Sequence, residues 1–242
     1  MGFDYASHFS KGLPAPAGAP FKGFAPYYFV GGNNAPEAVK VPDLIAAATR
    51  ALEKEGANLA IYNLQTGPQG YRPLREWLVG RLKNWCDMDV TPDNILMCSG
   101  SLQCLDLVHK ALLEPGDVVV VEGGTYGGTM SRLHDEKAEY VGVAMDDDGI
   151  IPAELDKLLA EVKAQGKRCK YLYTIPTVQN PTGTVMSLER RHAILDIARK
   201  HDIIIFEDDC YADLTFSGDR PPAFYSIDTE GRVVYCGTFS KT

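Results

Sequence analysis

After Asp87 the apolar residues fall into short unbroken runs, separated by stretches in which they recur every three or four positions. The runs at 95–98, 118–121, 140–144, 171–175, 203–206 and 233–236 predict strands. The spacing between them predicts helices at 102–113, 129–135, 152–165 and 188–200. In 152–165, Leu155, Leu158, Leu159 and Val162 share one face, Pro152 opens the helix and Gly166 closes it. Strands with so little polar alternation are buried on both faces. The fold class is therefore α/β, a mainly parallel sheet flanked by helices. Two further helices precede this region. One spans 42–55, with Leu44, Ile45, Ala48 and Leu52 on one face, and the other 73–85, with Leu74, Trp77, Leu78, Leu82 and Trp85. Residues 1–35 read as an irregular N-terminal arm ending in Gly31-Gly32-Asn33-Asn34, and 36–242 as one domain.

Composition narrows the functions available. The 242 residues are 45% hydrophobic and 23% charged, with a formal charge of -8. No basic excess exists to neutralise phosphates, so nucleic acid is not an expected partner. No apolar run is long enough to span a bilayer, and the first residues lack a signal-peptide pattern. Six cysteines are scattered without a CxxC pair and five histidines are dispersed, so no metal site is expected. Cysteines set in apolar runs read as reduced, buried thiols of a cytoplasmic protein.

Five segments bear candidate chemistry. Ser99-Gly100-Ser101-Leu102 joins a predicted strand to a predicted helix, where small residues let the backbone approach an anion and the helix start supplies N–H donors. Gly123-Gly124-Thr125-Tyr126-Gly127-Gly128 leaves a tyrosine ring face accessible for stacking. Asn180-Pro181-Thr182-Gly183 follows the strand at 171–175, where loops line the ligand crevice of open α/β sheets. Glu207-Asp208-Asp209-Cys210-Tyr211 puts acids at a buried strand end, which is costly unless something cationic meets them. Thr238-Phe239-Ser240-Lys241 presents a lysine among hydroxyls just past the last strand, a setting in which a desolvated amine becomes a nucleophile. Taken singly, each also fits an ordinary turn, cap or solvated loop.

Taken together, in order and at strand ends, these segments resemble the pyridoxal-phosphate-dependent aminotransferases of class I/II, fold type I. Tyr62, followed by Gly70 and Leu74-Arg75, adds to the match, which runs from about Gly31 to the last residue. The stretches at 100–103 and 207–211 look most like the subgroup acting on aminoadipate, aromatic or branched-chain amino acids. The resemblance implies a fold type I large domain and pyridoxal 5'-phosphate as cofactor. It implies transfer of an amino group from an L-amino acid to a 2-oxo acid through a Schiff base on Lys241. Catalysis would rest on Lys241, Asp208 and Tyr211. Asp208 would pair with the ring nitrogen, Asn180 and Tyr211 with the ring oxygen, and Tyr126 would stack on the ring. Ser99, Gly100, Ser101, Leu102, Thr238 and Ser240 would hold the phosphate. Tyr62 would reach the cofactor of a neighbouring subunit, which implies a homodimer. Gly32 and Asn180 would contact the substrate.

The sequence also departs from the family. Family members continue past the lysine with an arginine on the cofactor phosphate, a further strand and a small C-terminal domain. That strand lies between those matching 95–98 and 233–236, so two unpaired edges are expected here. The large domain is accordingly expected to be incomplete, and the isolated chain poorly active and aggregation-prone. A fragment of a normal aminotransferase, one half of a split enzyme, and a short relative that only binds or assembles all fit. So do an aminotransferase-like domain of a regulator and a related pyridoxal-phosphate lyase.

Overall fold

The computed structural model describes residues 3–10, 13, 22–28, 31–62, 66–216, 218 and 220–241. The chain divides into two units, Met1–Asn33 and Asn34–Thr242. In the first, Ala6–His8 forms a single 3-10 turn, and the Phe3 and Tyr5 rings meet edge-on at 4.9 Å.

The second unit is built on a five-stranded sheet. Its strands are β1 (Val118–Glu122), β2 (Glu139–Val143), β5 (Cys169–Thr174), β6 (Ile204–Asp208) and β7 (Val233–Cys236), in the order β2-β1-β5-β6-β7. Every pairing in it is parallel. A small antiparallel hairpin, β3 (Met145–Asp146) with β4 (Gly149–Ile150), stands apart. The helices are α1 (Val41–Glu55), α2 (Arg72–Cys86), α3 (Ser101–Leu112), α4 (Gly127–Asp135), α5 (Pro152–Ala164), α6 (Leu188–His201) and the short α7 (Phe224–Ile227).

The two-residue period of the strands explains why both sheet faces are apolar. Val120, Leu172, Ile205 and Val233 point to one side, against Leu155 and Leu159 of α5, Ile194 and Leu195 of α6 and Phe224 of α7. Their neighbours Val119, Val121, Tyr171, Tyr173 and Phe206 point to the other, against Leu105 of α3 and Leu133 of α4. Local chemistry fixes the helix ends. Ser187 caps α6 by accepting from the Arg190 N–H at 3.2 Å, and Gly166 follows α5 with φ 71°.

Two expectations change. The run at 95–98 is extended but joins no ladder: Ile95 has φ -109° and ψ 126°, and the Met97 N–H donates to the Gln69 carbonyl at 2.9 Å. A cavity of about 520 Å³ separates this segment from β7, which ends the sheet order. β propensity makes the backbone extended, but a strand needs a neighbour within hydrogen-bonding distance. The second change concerns α1, whose apolar face is not covered: Leu44, Ile45 and Leu52 are 59%, 62% and 59% exposed. In α2, Trp77 and Trp85 are likewise exposed. The buried long side chain there is Arg75, whose guanidinium donates to the carbonyls of Thr66, Gly70 and Pro92.

Candidate active site

The chemistry-bearing segments gather where β1, β5, β6 and β7 end, together with the start of α3. Asp208 closes β6 and is buried. The Tyr173 hydroxyl donates to Asp208 Oδ2 at 2.6 Å and the Cys210 thiol to Oδ1 at 2.7 Å. Burial pushes the Asp208 carboxyl up in pKa, and these two hydrogen bonds oppose the shift.

The neighbours of Asp208 sharpen its meaning. Glu207 faces Arg191 at 3.8 Å and accepts from the N–H groups of Phe224 and Tyr225 at 2.8 and 3.0 Å. Asp209 pairs with Arg220 and accepts from the Tyr235 hydroxyl at 2.8 Å. Two of the three consecutive buried carboxylates thus have a protein cation. Asp208 has a phenol and a thiol, and no lysine or arginine of the described residues lies in salt-bridge range of it. A buried carboxylate with only neutral donors is suited to a cationic group brought by a ligand.

Asn180 and Tyr211 come together, the amide donating to the phenol oxygen at 3.2 Å. The loop bearing Asn180 is pinned from below. Gln179 donates to Glu122 Oε2 at 2.8 Å and to the Gly124 carbonyl at 2.6 Å, and its own Oε1 accepts from Thr182. Glu122, the last residue of β1, also accepts from the Thr174 hydroxyl at 2.6 Å and the Ile175 N–H at 3.2 Å. Burial raises its carboxyl to about 7 despite those bonds.

Tyr126 precedes α4, half-buried in the same apolar cluster as Tyr211. A Cβ on Gly128 would stand 2.4 Å from its ring, so only glycine leaves the ring in place. Gly100 caps α3 at φ 83°, ψ 165°, in a region essentially restricted to glycine. Ser99 and Gly100 are exposed, Ser101 and Leu102 half-buried. Thr238 and Ser240 are bonded to each other at 3.0 Å past the end of β7. Cys236 pairs in register with Asp208, so Lys241 follows five residues beyond the position abreast of it. The cavity beside β7 reaches Gly100, Ser101, Thr238 and Ser240, and is not lined by Asp208, Tyr126, Asn180 or Tyr211.

Tyr62 is not brought into this group and is 98% exposed. Gly32 belongs to the other unit, with φ 54°. Tyr173 and Glu122 are additions from outside the motifs, and Gln179 and Gly128 lie within or beside motifs that gave them no role of their own. Glu122 carries a signal of its own, an acid closing an all-valine strand, by the argument already applied to Asp208.

The aminotransferase class I and II family pattern matches residues 31–242, and the chain belongs to that family. It is 37% identical over 211 residues to an aromatic-amino-acid aminotransferase of Thermococcus litoralis, covering 87% of this chain and 50% of that one. An HTH-type transcriptional regulator of Bacillus subtilis is 35% identical over 202 residues, covering 83% and 40%. Among solved structures, an archaeal alanine:glyoxylate aminotransferase superposes with a TM-score of 0.81 at 38% identity, covering 87% and 51%. The kynurenine aminotransferase of Pyrococcus horikoshii, in complex with PMP, gives 0.80 at 36% identity, also covering 87% and 51%. The parallel sheet with helices on both faces is thus the fold type I architecture. The chain spans about half the length of the curated relatives it matches.

Proposed function

We propose that this protein takes part in transfer of an amino group from an L-amino acid, of the aminoadipate, aromatic or branched-chain kind, to a 2-oxo acid, with pyridoxal 5'-phosphate held at Lys241. The observation that carries the reading is the buried Asp208 at a strand end, matched with neutral donors while its acidic neighbours each have an arginine. A carboxylate so placed suits a protonated ring nitrogen. The Gly128 clearance beneath Tyr126 and the glycine-only conformation at Gly100 fit a stacked ring and a phosphate at a helix start.

When bound, the cofactor supplies an aldehyde that takes up the amine and a ring that withdraws electrons from the substrate Cα. The chain supplies the rest. Asp208 holds the proton at the ring nitrogen. Asn180 and Tyr211, already bonded to each other, orient the ring oxygen. Tyr126 covers one ring face. Ser99, Gly100, Ser101, Leu102, Thr238 and Ser240 hold the phosphate, the serines and threonine through hydroxyls and Gly100 and Leu102 through backbone N–H groups. Lys241 anchors the aldehyde carbon and moves a proton at the substrate Cα. Gly32 and Asn180 contact the substrate. The exposure of Tyr62 and of the apolar face of α1 supports a homodimer in which Tyr62 reaches the partner's cofactor phosphate. Six free cysteines fit a reducing, cytoplasmic setting, and no helix of the described residues is long and apolar enough to cross a membrane.

The test is to add pyridoxal phosphate, reduce with borohydride and locate the label by peptide mass spectrometry. A label confined to Lys241 and lost in Lys241→Ala is the expected result; a label spread over surface lysines sinks the assignment. The similarity to a transcriptional regulator favours a second reading, a sensing domain that binds the cofactor without turnover. Labelling at Lys241 with no amine transfer to any 2-oxo acid would select it.

A further inference from the structure

Tyr173 lies outside every motif, in the middle of the sheet. Its side chain is fully buried, and its ring stacks on Phe206 at 5.7 Å between centroids and 27° between planes. The register pairs Tyr173 with Phe206, and Asp208 lies two residues further along the same strand face. The phenol is thereby aimed along the sheet surface at Asp208 Oδ2, 2.6 Å away. With the Cys210 thiol on Oδ1, two of the roughly four acceptor positions of the carboxylate are taken. We propose that Tyr173 is a positioning residue. Its hydroxyl fixes the plane of the Asp208 carboxylate, favours its ionised form and leaves its remaining lone pairs to the ring N–H of the cofactor. This rests on the reading of Asp208 as the partner of that ring nitrogen.

The chemistry has a definite sign. A hydrogen bond donated to a carboxylate stabilises the charged form, so removing it raises the proton affinity of the acid. Other titratable groups face Asp208 from around the site: Glu122 from β1, Cys104 from α3 and Cys236 from β7. Asp209, Cys210 and Tyr211 follow it in sequence. None is altered by Tyr173→Phe, which keeps the ring and deletes one oxygen.

The experiment uses the full chain with two readouts. Infrared titration with carboxyl-labelled aspartate, the Asp208 band being assigned by its loss in Asp208→Asn, reads the acid without cofactor. Tyr173→Phe is expected to move the midpoint upward by about one pH unit, a tenfold change in proton affinity. Pyridoxal phosphate titration reads the consequence. Affinity near neutral pH falls roughly tenfold in Tyr173→Phe, and the acid limb of the binding profile moves to higher pH. A structural role alone would lower affinity evenly at every pH. An unchanged midpoint overturns the proposal whatever the cofactor does. A shifted midpoint with wild-type cofactor affinity in both Tyr173→Phe and Asp208→Asn overturns instead the ring-nitrogen reading on which it rests. Should Tyr173→Phe not fold, proton NMR of the unsubstituted chain decides. A downfield, slowly exchanging Tyr173 hydroxyl proton that disappears in Asp208→Asn upholds the bond, and its absence removes it.

Discussion

Glu122 shows how one buried residue can fix the shape of a loop. It takes three donors, from Thr174, Ile175 and Gln179, and through Gln179 it fixes the turn that presents Asn180. No lysine or arginine of the described residues pairs with it, and burial lifts its carboxyl to about 7. A carboxyl whose folded pKa lies above its unfolded value stabilises fully below the unfolded value, and that stabilisation is lost as pH rises through the folded one. The window here runs from about 4.5 to about 7. In Glu122→Gln this slope vanishes. The stability of wild type relative to that variant is therefore expected to fall between pH 4.5 and 8, by at most about 3 kcal/mol. Urea unfolding across that range measures it, and a pH-independent difference would show that Glu122 does not titrate there. The residue is legible in hindsight as an acid at the end of Val118–Val121, whereas Tyr173 is not. A tyrosine in an apolar run reads as core, and only the register of β5 on β6 turns its hydroxyl toward Asp208.

At the scale of elements, the strand runs and helix spacing in the sequence anticipate the sheet and its flanking helices to within a residue or two, because each pattern expresses local burial. The segment 95–98 is the instructive exception. Its apolar residues face the cavity beside β7 instead of a strand, and no local pattern encodes whether a neighbour exists. The turn that follows, by contrast, was readable from its glycine. Gly100 at φ 83°, ψ 165° starts α3, so Gly100→Ala forces a Cβ into a region that L residues avoid. Nothing lies within 4 Å of that Cβ, so the cost is conformational and not steric crowding. A loss of about 1–3 kcal/mol in unfolding free energy is expected, with weaker phosphate binding because the first turn of α3 shifts. Calorimetry together with a pyridoxal phosphate titration would measure both. Unaltered melting would mean that the turn relaxes freely.

For the whole molecule, the decisive feature is an amphipathic helix whose apolar side is exposed. α1 has no buried residue, and Leu44, Ile45 and Leu52 stand more than half exposed, with Tyr62 at 98% a few residues beyond its end. Helices keep such a stripe when something covers it, since each large aliphatic side chain gains about 1.5–3 kcal/mol on full burial. Under the proposed homodimer the cover is a second copy, and Tyr62 is carried with it toward the partner's site. Ile45→Glu then separates assembly from folding. Because Ile45 is exposed within one copy, the substitution should change the stability of that copy by no more than about 0.5 kcal/mol. A charge placed in a self-complementary apolar interface should instead shift the chain to monomer in sedimentation velocity. Cofactor affinity should fall with it, because Tyr62 would no longer reach a phosphate. A variant that sediments as wild type would move the interface elsewhere, and one that is monomeric yet binds cofactor fully would show that each copy holds its own.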